Sequence, residues 1–285
     1  MSRRSPPSHK RRKSSKKRAR ALARILPAKP AARRLWRRFR SAPLPAQVFG
    51  ALAICAIVSL AANWIYQVAR KPSELFFPVS GVLNKTPPQT WREYSGLFKK
   101  YSTSTITPEF LAAIAQVEAS GNPIVRTYWR WSWGSSPFEI YRPASSAVGM
   151  YQITDGTFAE ARHFCIHGHA VVEEGPWNDW HSCWFTSLYA RVIPADAVEL
   201  TSADLDRHVA AILRRHRLTG TSTAQKLNLA ALIHLCGAGA GDEYARRGLR
   251  LLDGQRCGDH LASAYLDRVA TLQQEFARLR IPTSG

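Results

Sequence analysis

Glu118 is the residue whose position first points to chemistry. It closes the apolar stretch TPEFLAAIAQVEASGNP, residues 107–123, and a Gly-Asn-Pro turn breaks the predicted helix directly after it. Because it lies seven residues after Leu111, it projects beside the apolar stripe in the last helical turn. Apolar surroundings and the negative end of the helix dipole both disfavour an ionised carboxylate, which suits a general acid. The simpler interpretation is a solvated glutamate, since most glutamates are exposed.

Two further segments follow Glu118 in the chain. SSAVGMYQITDGTF occupies residues 145–158, and an apolar helical pattern breaks into HLCGAGAG at 234–241. With EASGNP, these segments resemble, in order, the three signature regions of the lysozyme-like lytic transglycosylases, the soluble lytic transglycosylase (SLT) domain family. Those regions read E-S-x-x-N-P, G-A-x-G-L-M-Q-x-x-P-x-T and A-Y-N-x-G-x-G. The resemblance covers roughly residues 90–280, and the ordered trio is more specific than any one segment.

The resemblance implies roles for single residues. Glu118 matches the family's one catalytic acid/base, and Ser145 lies near its small hydroxyl residue. Four residues match the segment that lines the glycan groove: Gly149, Met150, Tyr151 and Gln152. Ala119 and His234 depart from the pattern, because the family has Ser and the Tyr of Tyr-Asn there. We expect His234 either to replace that tyrosine by hydrogen bonding to Glu118 or to be a buried core histidine.

The activity that the resemblance implies is cleavage of the β-1,4 bond between N-acetylmuramic acid and N-acetylglucosamine in peptidoglycan, with a 1,6-anhydro product. One carboxyl group suffices, because the muramyl 6-hydroxyl is the nucleophile, and no cofactor or metal is expected. A hydrolysing lysozyme is the alternative; a hydrolase normally needs a second carboxylate. Four residues could supply it: Glu139, Glu173, Glu174 and Asp179. A non-catalytic module that binds glycan strands is a further alternative.

An uncharged run, AQVFGALAICAIVSLAANWIYQVA, occupies residues 46–69. As a helix these residues span about 36 Å, which exceeds a hydrocarbon core of about 30 Å. Trp64 and Tyr66 lie near its end, where aromatic rings favour the membrane interface. The pattern predicts one transmembrane helix. A cleaved signal peptide is the alternative, but the charged region before the run is too long for one.

The residues before this run are strongly basic. Residues 1–40 hold 17 Lys and Arg and no acid, whereas residues 41–285 are nearly neutral. Such an excess keeps the N-terminal side of a transmembrane helix in the cytoplasm. We therefore predict a cytoplasmic tail over 1–45 that contacts anionic lipid, and a bacterial inner-membrane protein whose catalytic domain faces the periplasm. The tail composition also fits a nucleic-acid-binding arm or a nuclear localisation signal.

Four cysteines follow the predicted anchor: Cys165, Cys183, Cys236 and Cys257. Three connectivities are open to them, and we favour the sequential pairs, each closing a loop worth about 3 kcal/mol in the chain-entropy model. The first two cysteines also lie among histidines at spacings that suit zinc: His163, His167, His169 and His181. In an exported chain, disulfides are the simpler interpretation.

The remaining pattern predicts a spacer over 70–90, rich in Pro, Ser and Gly, and one mainly helical, lysozyme-like domain over 91–285. The predicted helices cover 91–101, 108–119, 155–165, 181–192, 202–217 with Ser202 as cap, 223–236 and 258–280. Residues 227–236 are apolar on every face, which predicts the buried central helix. A short β-hairpin flap fits within 124–153, where Trp129, Trp131 and Trp133 either stack on sugars or pack together.

Overall fold

The structure of the chain is a computed structural model. It describes residues 36–71, 74–75, 80–125, 127–132, 139–179 and 182–280. Several predictions fall outside the described residues. They concern the tail before residue 36, parts of the spacer, Trp133 and His181. The chain divides into two compact units, Met1–Ala62 and Asn63–Gly285.

Helix α1, Leu44–Arg70, contains the uncharged run. It has 27 residues and contains an 18-residue window with a mean hydropathy of 2.1, so it is long and apolar enough to span a membrane. Many apolar side chains along it are exposed. The predicted helix is confirmed, with ends within two residues of the predicted ones.

The second unit is mainly helical, as predicted. Its helices are α2 (Pro87–Lys100), α3 (Pro108–Ala119), α4 (Asp155–Ala161), α5 (Pro194–Arg215), α6 (Thr223–Cys236), α7 (Ala238–Arg246) and α8 (Ala262–Arg280). The strands that the structure describes form three antiparallel pairs: β1 (Trp129–Trp131) with β2 (Tyr141–Pro143), β3 (Phe164–His167) with β4 (Ala170–Glu173), and β5 (Arg256–Cys257) with β6 (His260–Leu261). The first pair is the predicted hairpin. The sequence did not predict the other two pairs, although β3 and β4 have four residues each and β1 and β2 only three.

The core lies between α3, α8 and α2 on one side and α5, α6 and α7 on the other. Residues 229–233 of α6 are buried, so the predicted central helix is confirmed. Large side chains without solvent exposure come from most of these elements: Phe98, Phe110, Leu111, Ile114, Met150, Tyr151, Leu200, Leu229, Leu232 and Phe276.

Several predicted helices differ from the structure. The helix predicted over 155–165 ends at Ala161, and residues 164–165 belong to β3. The helix predicted over 258–280 begins at Ala262, directly after β6. Helix α5 begins at Pro194 rather than 202, because proline starts the helix and buried residues continue its core face from there. Ser202 is therefore not a cap but a buried residue inside α5. The predicted helix over 181–192 is, where described, a 3-10 turn over Trp184–Leu188.

The compact unit begins well before the predicted boundary at residue 91. Asn63 is buried, and its Nδ2 donates to the Tyr141 carbonyl oxygen at 2.6 Å. Lys71 and Glu74 form a buried ion pair, with Nζ and Oε1 3.3 Å apart. The described residues of the predicted spacer thus include parts of the folded domain.

Both sequential disulfides are present. The Cα atoms of Cys165 and Cys183 are 5.5 Å apart, and those of Cys236 and Cys257 are 5.4 Å apart. The first bond joins β3 to the 3-10 turn, and the second joins the end of α6 to β5. The predicted pairing is confirmed. Because Cys165 and Cys183 are bonded to each other, they are not available as the zinc ligands that the alternative interpretation required.

Buried tyrosines predict how stability depends on pH. Burial raises the pKa of Tyr151 and Tyr265 well above the ordinary value of about 10. Their contribution is therefore fully present below about pH 10 and is lost as pH rises toward the folded-state values. We expect the free energy of unfolding, measured with urea, to fall above about pH 10 by about 1.4 kcal/mol per pH unit for each tyrosine. For Tyr151→Phe, the free energy of unfolding should fall less steeply with pH than for the wild-type protein. Identical slopes for the two proteins would contradict this account.

Candidate active site

Helix α3 carries Glu118 in its last turn. The Thr107 hydroxyl oxygen accepts from the Phe110 backbone N–H at 3.2 Å, and Pro108 is the first helical residue. Ser120, with φ 49°, ends the helix in the left-handed region. The position of Glu118 is thus fixed by a cap at one end of α3 and a sharp stop at the other.

The Gly-Asn-Pro turn after α3 has a structural role. Gly121 has φ 64°, and a Cβ there would lie 2.2 Å from the Thr90 hydroxyl oxygen, so only glycine fits. Asn122 is fully buried; its Nδ2 donates to Asn84 Oδ1 at 2.8 Å, and its Oδ1 accepts from the Ile124 N–H at 3.0 Å. These contacts lock the end of α3.

Tyr265 of α8 holds the Glu118 carboxyl group. Its hydroxyl donates to Glu118 Oε1 at 2.6 Å. Burial, and next the negative charge of Glu118, raise the pKa of Tyr265, so the phenol keeps its proton and stays a donor. Sequence reasoning assigned Tyr265 to ordinary helix packing. The sequence did contain a signal for this role, because a tyrosine within an apolar stripe is buried and its hydroxyl then needs a hydrogen-bond partner.

His234 lies beside the same carboxyl group but does not orient it. Its Nε2 is 3.8 Å from Glu118 Oε1, which exceeds a hydrogen bond. The orienting role that the resemblance suggested for His234 therefore falls to Tyr265. His234 is close enough to act through its charge when protonated.

Two neighbouring cavities form a groove at Glu118. The Glu118 cavity, about 540 Å³, is lined by Glu118, Gln152, Leu235, Asp259, Tyr265 and Arg268, among others. The His208 cavity, about 150 Å³, is lined by Gln152, Thr157, Glu160, Asp204, His208 and His234, among others. Gln152 belongs to both walls, so residues from all three motif segments meet at this groove.

Met150 and Tyr151 are not groove residues, contrary to the expectation. Both are fully buried, and the Tyr151 hydroxyl donates to the Leu111 carbonyl oxygen of α3 at 3.1 Å. The reason is the tight turn between Val148 and Ile153, whose backbones pair with each other. This turn directs Gln152 to the groove and its two predecessors into the core. Met150 and Tyr151 therefore belong to the core, where the Tyr151 hydrogen bond helps to hold α3.

Gly149 is buried too, and its role is conformational. Its φ is 80°, and a Cβ would lie 2.2 Å from the backbone oxygen of Arg191. Gly149→Ala is therefore expected to destabilise the protein by about 3 kcal/mol, from left-handed strain and the clash. Thermal unfolding would measure this loss. Gly156→Ala is the control, because open space surrounds Gly156 within α4 and alanine should be neutral or stabilising there. Equal stability of the two variants would contradict the steric argument.

Ser145 is also outside the groove. It is exposed and lines a third cavity, together with Arg70 and Arg142. A residue that the sequence did not single out, Arg191, organises this region instead. Its guanidinium donates to the carbonyl oxygens of Ser146 and Ile153 at 3.1 and 2.8 Å. Arg191 thereby fixes the loop that presents Gln152.

Among the described residues, one group has donor atoms close enough to hold a metal ion: Glu160, Asp204 and His208, with the atoms within 4.8 Å of one another. Arg207 already lies between them. Its Nη2 is 3.1 Å from His208 Nε2 and 3.6 Å from Asp204 Oδ1, and it contacts Glu160 more closely still. The guanidinium supplies the positive charge that this group attracts.

Comparisons of the chain with protein-family models, curated proteins and solved structures give no match. What the groove can do therefore follows from its own geometry. A half-buried carboxyl group, held on one oxygen by a buried phenol and open to a groove, can give a proton to a bound ligand and take one back.

Proposed function

We propose that the protein is a peptidoglycan lytic transglycosylase with a lysozyme-like domain and Glu118 as its acid/base. One observation carries the proposal. Glu118, Gln152 and His234 come from the three segments that resemble the family's signature regions, and they meet at one groove although they are widely separated in the sequence. A catalytic site built from these three segments requires this arrangement.

In the first step, Glu118 protonates the oxygen of the β-1,4 bond. The bond between C1 of N-acetylmuramic acid and that oxygen breaks, and N-acetylglucosamine leaves with a free 4-hydroxyl. The acetamido group of the muramyl residue helps to stabilise the oxocarbenium-like centre. Because Tyr265 occupies one carboxyl oxygen of Glu118, the other oxygen is the one that delivers the proton.

In the second step, the Glu118 carboxylate accepts the proton of the muramyl 6-hydroxyl. The 6-oxygen attacks C1, which closes the 1,6-anhydro ring and restores the acid. Tyr265 stabilises the intermediate carboxylate through a charge-assisted hydrogen bond. The substrate supplies the nucleophile, so a second carboxylate is not required.

The membrane topology belongs to the same proposal. Helix α1 would be a single-pass anchor in the bacterial inner membrane, with the basic tail on the cytoplasmic side and in contact with anionic lipid. The domain that follows would face the periplasm, where peptidoglycan strands lie. The two disulfides fit that oxidising compartment.

A muramidase that hydrolyses the same bond is a second candidate, because one exposed carboxylate, Asp259, lines the Glu118 cavity. The four carboxylates suggested by sequence do not belong to the lining of either cavity. Glu139, for example, binds Arg70 and Arg142 instead.

Asp259→Asn separates the two candidates. We expect the variant to release muropeptides from purified sacculi at a rate within about threefold of wild type, because a transglycosylase needs no second carboxylate. Chromatography of the released products would measure the rate. A loss of about a hundredfold or more would favour the hydrolase and defeat the one-carboxylate mechanism.

A further inference from the structure

A cavity of about 200 Å³ lies at the start of the second unit, away from Glu118. Three basic side chains line it: Arg70, Lys71 and Arg142. Ser145 and Ser146 add hydroxyl groups, and Glu139 and Asp155 provide carboxylates. Arg191, outside the lining, neutralises Asp155, with Nη2 2.7 Å from Asp155 Oδ1. We call this site the arginine cavity. Its mixture of cations and hydroxyl donors is the chemistry that recognises an oxyanion.

The arginine cavity is adjacent in sequence and in space to the end of the apolar helix. Arg70 is the last residue of α1 and the first charged residue after Arg40. The opposite wall comes from the β2 strand, which is joined to α1 by the hydrogen bond from Asn63 to Tyr141. If α1 spans a membrane, charged residues directly after the apolar run lie at the level of the lipid headgroups.

We propose that the arginine cavity binds the phosphate group of a membrane phospholipid. The proposal rests on the membrane anchoring proposed above, but not on the activity of Glu118. It would assign the hairpin of β1 and β2 a position at the membrane surface.

The charges in the cavity favour a phosphate. Glu139 holds both arginines, with Oε1 3.3 Å from Arg70 Nη1 and Oε2 3.1 Å from Arg142 Nη1. These distances leave the remaining N–H groups of two partly exposed guanidiniums for a ligand, and guanidinium binds phosphate through paired hydrogen bonds. Lys71 contributes less than the arginines, because its Nζ already lies 3.3 Å from Glu74 Oε1 and burial lowers its pKa.

The surroundings favour a lipid over free phosphate. Three aromatic side chains on α1 and the hairpin are exposed. Tyr128, just before β1, is 70% exposed, Trp131 of β1 is 58% exposed, and Trp64 of α1 is 48% exposed. Aromatic rings with one apolar side and one polar edge are enriched at membrane interfaces. These rings belong to α1 and to the hairpin, the two elements that carry Arg70 and Arg142, and binding of a soluble phosphate would not require them.

Native mass spectrometry of the full-length protein, released from detergent with added lipid, tests the proposal. The probes are phosphatidylethanolamine and diacylglycerol, which are both without net charge and so are not attracted by the basic tail. We expect preferential retention of the phospholipid. Arg70→Gln with Arg142→Gln should weaken it at least about tenfold, whereas Arg246→Gln with Arg278→Gln, two exposed arginines elsewhere, should not.

Two further variants guard against simple misfolding. Glu139→Gln should strengthen phospholipid retention, because its carboxylate competes with phosphate for both arginines. Arg142→Lys should restore part of the binding that Arg142→Gln loses. Equal retention of phospholipid and diacylglycerol, or no effect of the double substitution, would overturn the site.

The source of the phosphate is tested separately. Inorganic phosphate at millimolar concentration should leave phospholipid bound; complete displacement by it would point to a soluble ligand and overturn the lipid assignment. Carbonate extraction of cell membranes checks the anchor. Release of the wild-type protein would reject the anchoring itself, whereas a retained protein without phospholipid preference would reject only the cavity.

Discussion

Glu118→Gln is expected to lower the release of muropeptides from sacculi by at least about a thousandfold. Glutamine has nearly the same shape, and its amide oxygen can still accept the hydrogen bond from Tyr265, so the groove should keep its geometry. What it lacks is a proton to give and a carboxylate to take one back. Both steps of the proposed reaction use the same residue, which is why the effect should be large.

The matched control is Glu93→Gln, which neutralises an exposed glutamate on α2 outside both cavities of the groove. It should release muropeptides at the wild-type rate. Glu118→Gln should still bind sacculi, because the groove is unchanged. If both Glu118→Gln and the wild-type protein bind sacculi but release no muropeptides, the protein is instead a non-catalytic glycan-binding module.

Tyr265→Phe should lower the rate constant kcat by about 10- to 100-fold. The lost contact is a 2.6 Å hydrogen bond to a carboxylate, and such bonds contribute about 1.5–3 kcal/mol. The phenyl ring keeps most of the packing of α8 on α3, so the fold should remain. The KM for soluble glycan fragments should change little, since Tyr265 acts on Glu118 rather than on the ligand.

The split between kcat and KM distinguishes this positioning role from a loss of stability. Tyr244→Phe, which removes another buried tyrosine hydroxyl, should leave both kcat and KM unchanged. An equal loss of kcat in the two variants, or a loss in Tyr265→Phe that is explained by its thermal unfolding, would argue that Tyr265 is only structural.

Much of the architecture could be predicted from periodicity alone. The apolar run over 46–69, the cap at Thr107 and Pro108, and the all-apolar segment in α6 each reflect a local rule that the structure follows. The sequential cysteine pairs follow from loop closure, which favours short separations. These predictions succeeded because neighbours in the sequence decide them.

The groove depended on contacts between distant residues and was harder to predict. Tyr265 reaches Glu118 across 147 positions, and no local pattern reports that distance. Met150 and Tyr151 match a groove segment by type, yet the turn closed by Val148 and Ile153 puts both in the core. Ser145 precedes that turn and faces the arginine cavity instead. Backbone conformation, rather than residue type, decided these three positions.

The most direct test of the proposed chemistry is to digest sacculi in water enriched in heavy oxygen and to weigh the released muropeptides. If the muramyl 6-hydroxyl is the nucleophile, the products carry 1,6-anhydro ends, are one molecule of water lighter than reducing-end products, and contain no heavy oxygen. Reducing ends that each carry one heavy oxygen atom would show that water attacks C1, and would contradict the transglycosylase account.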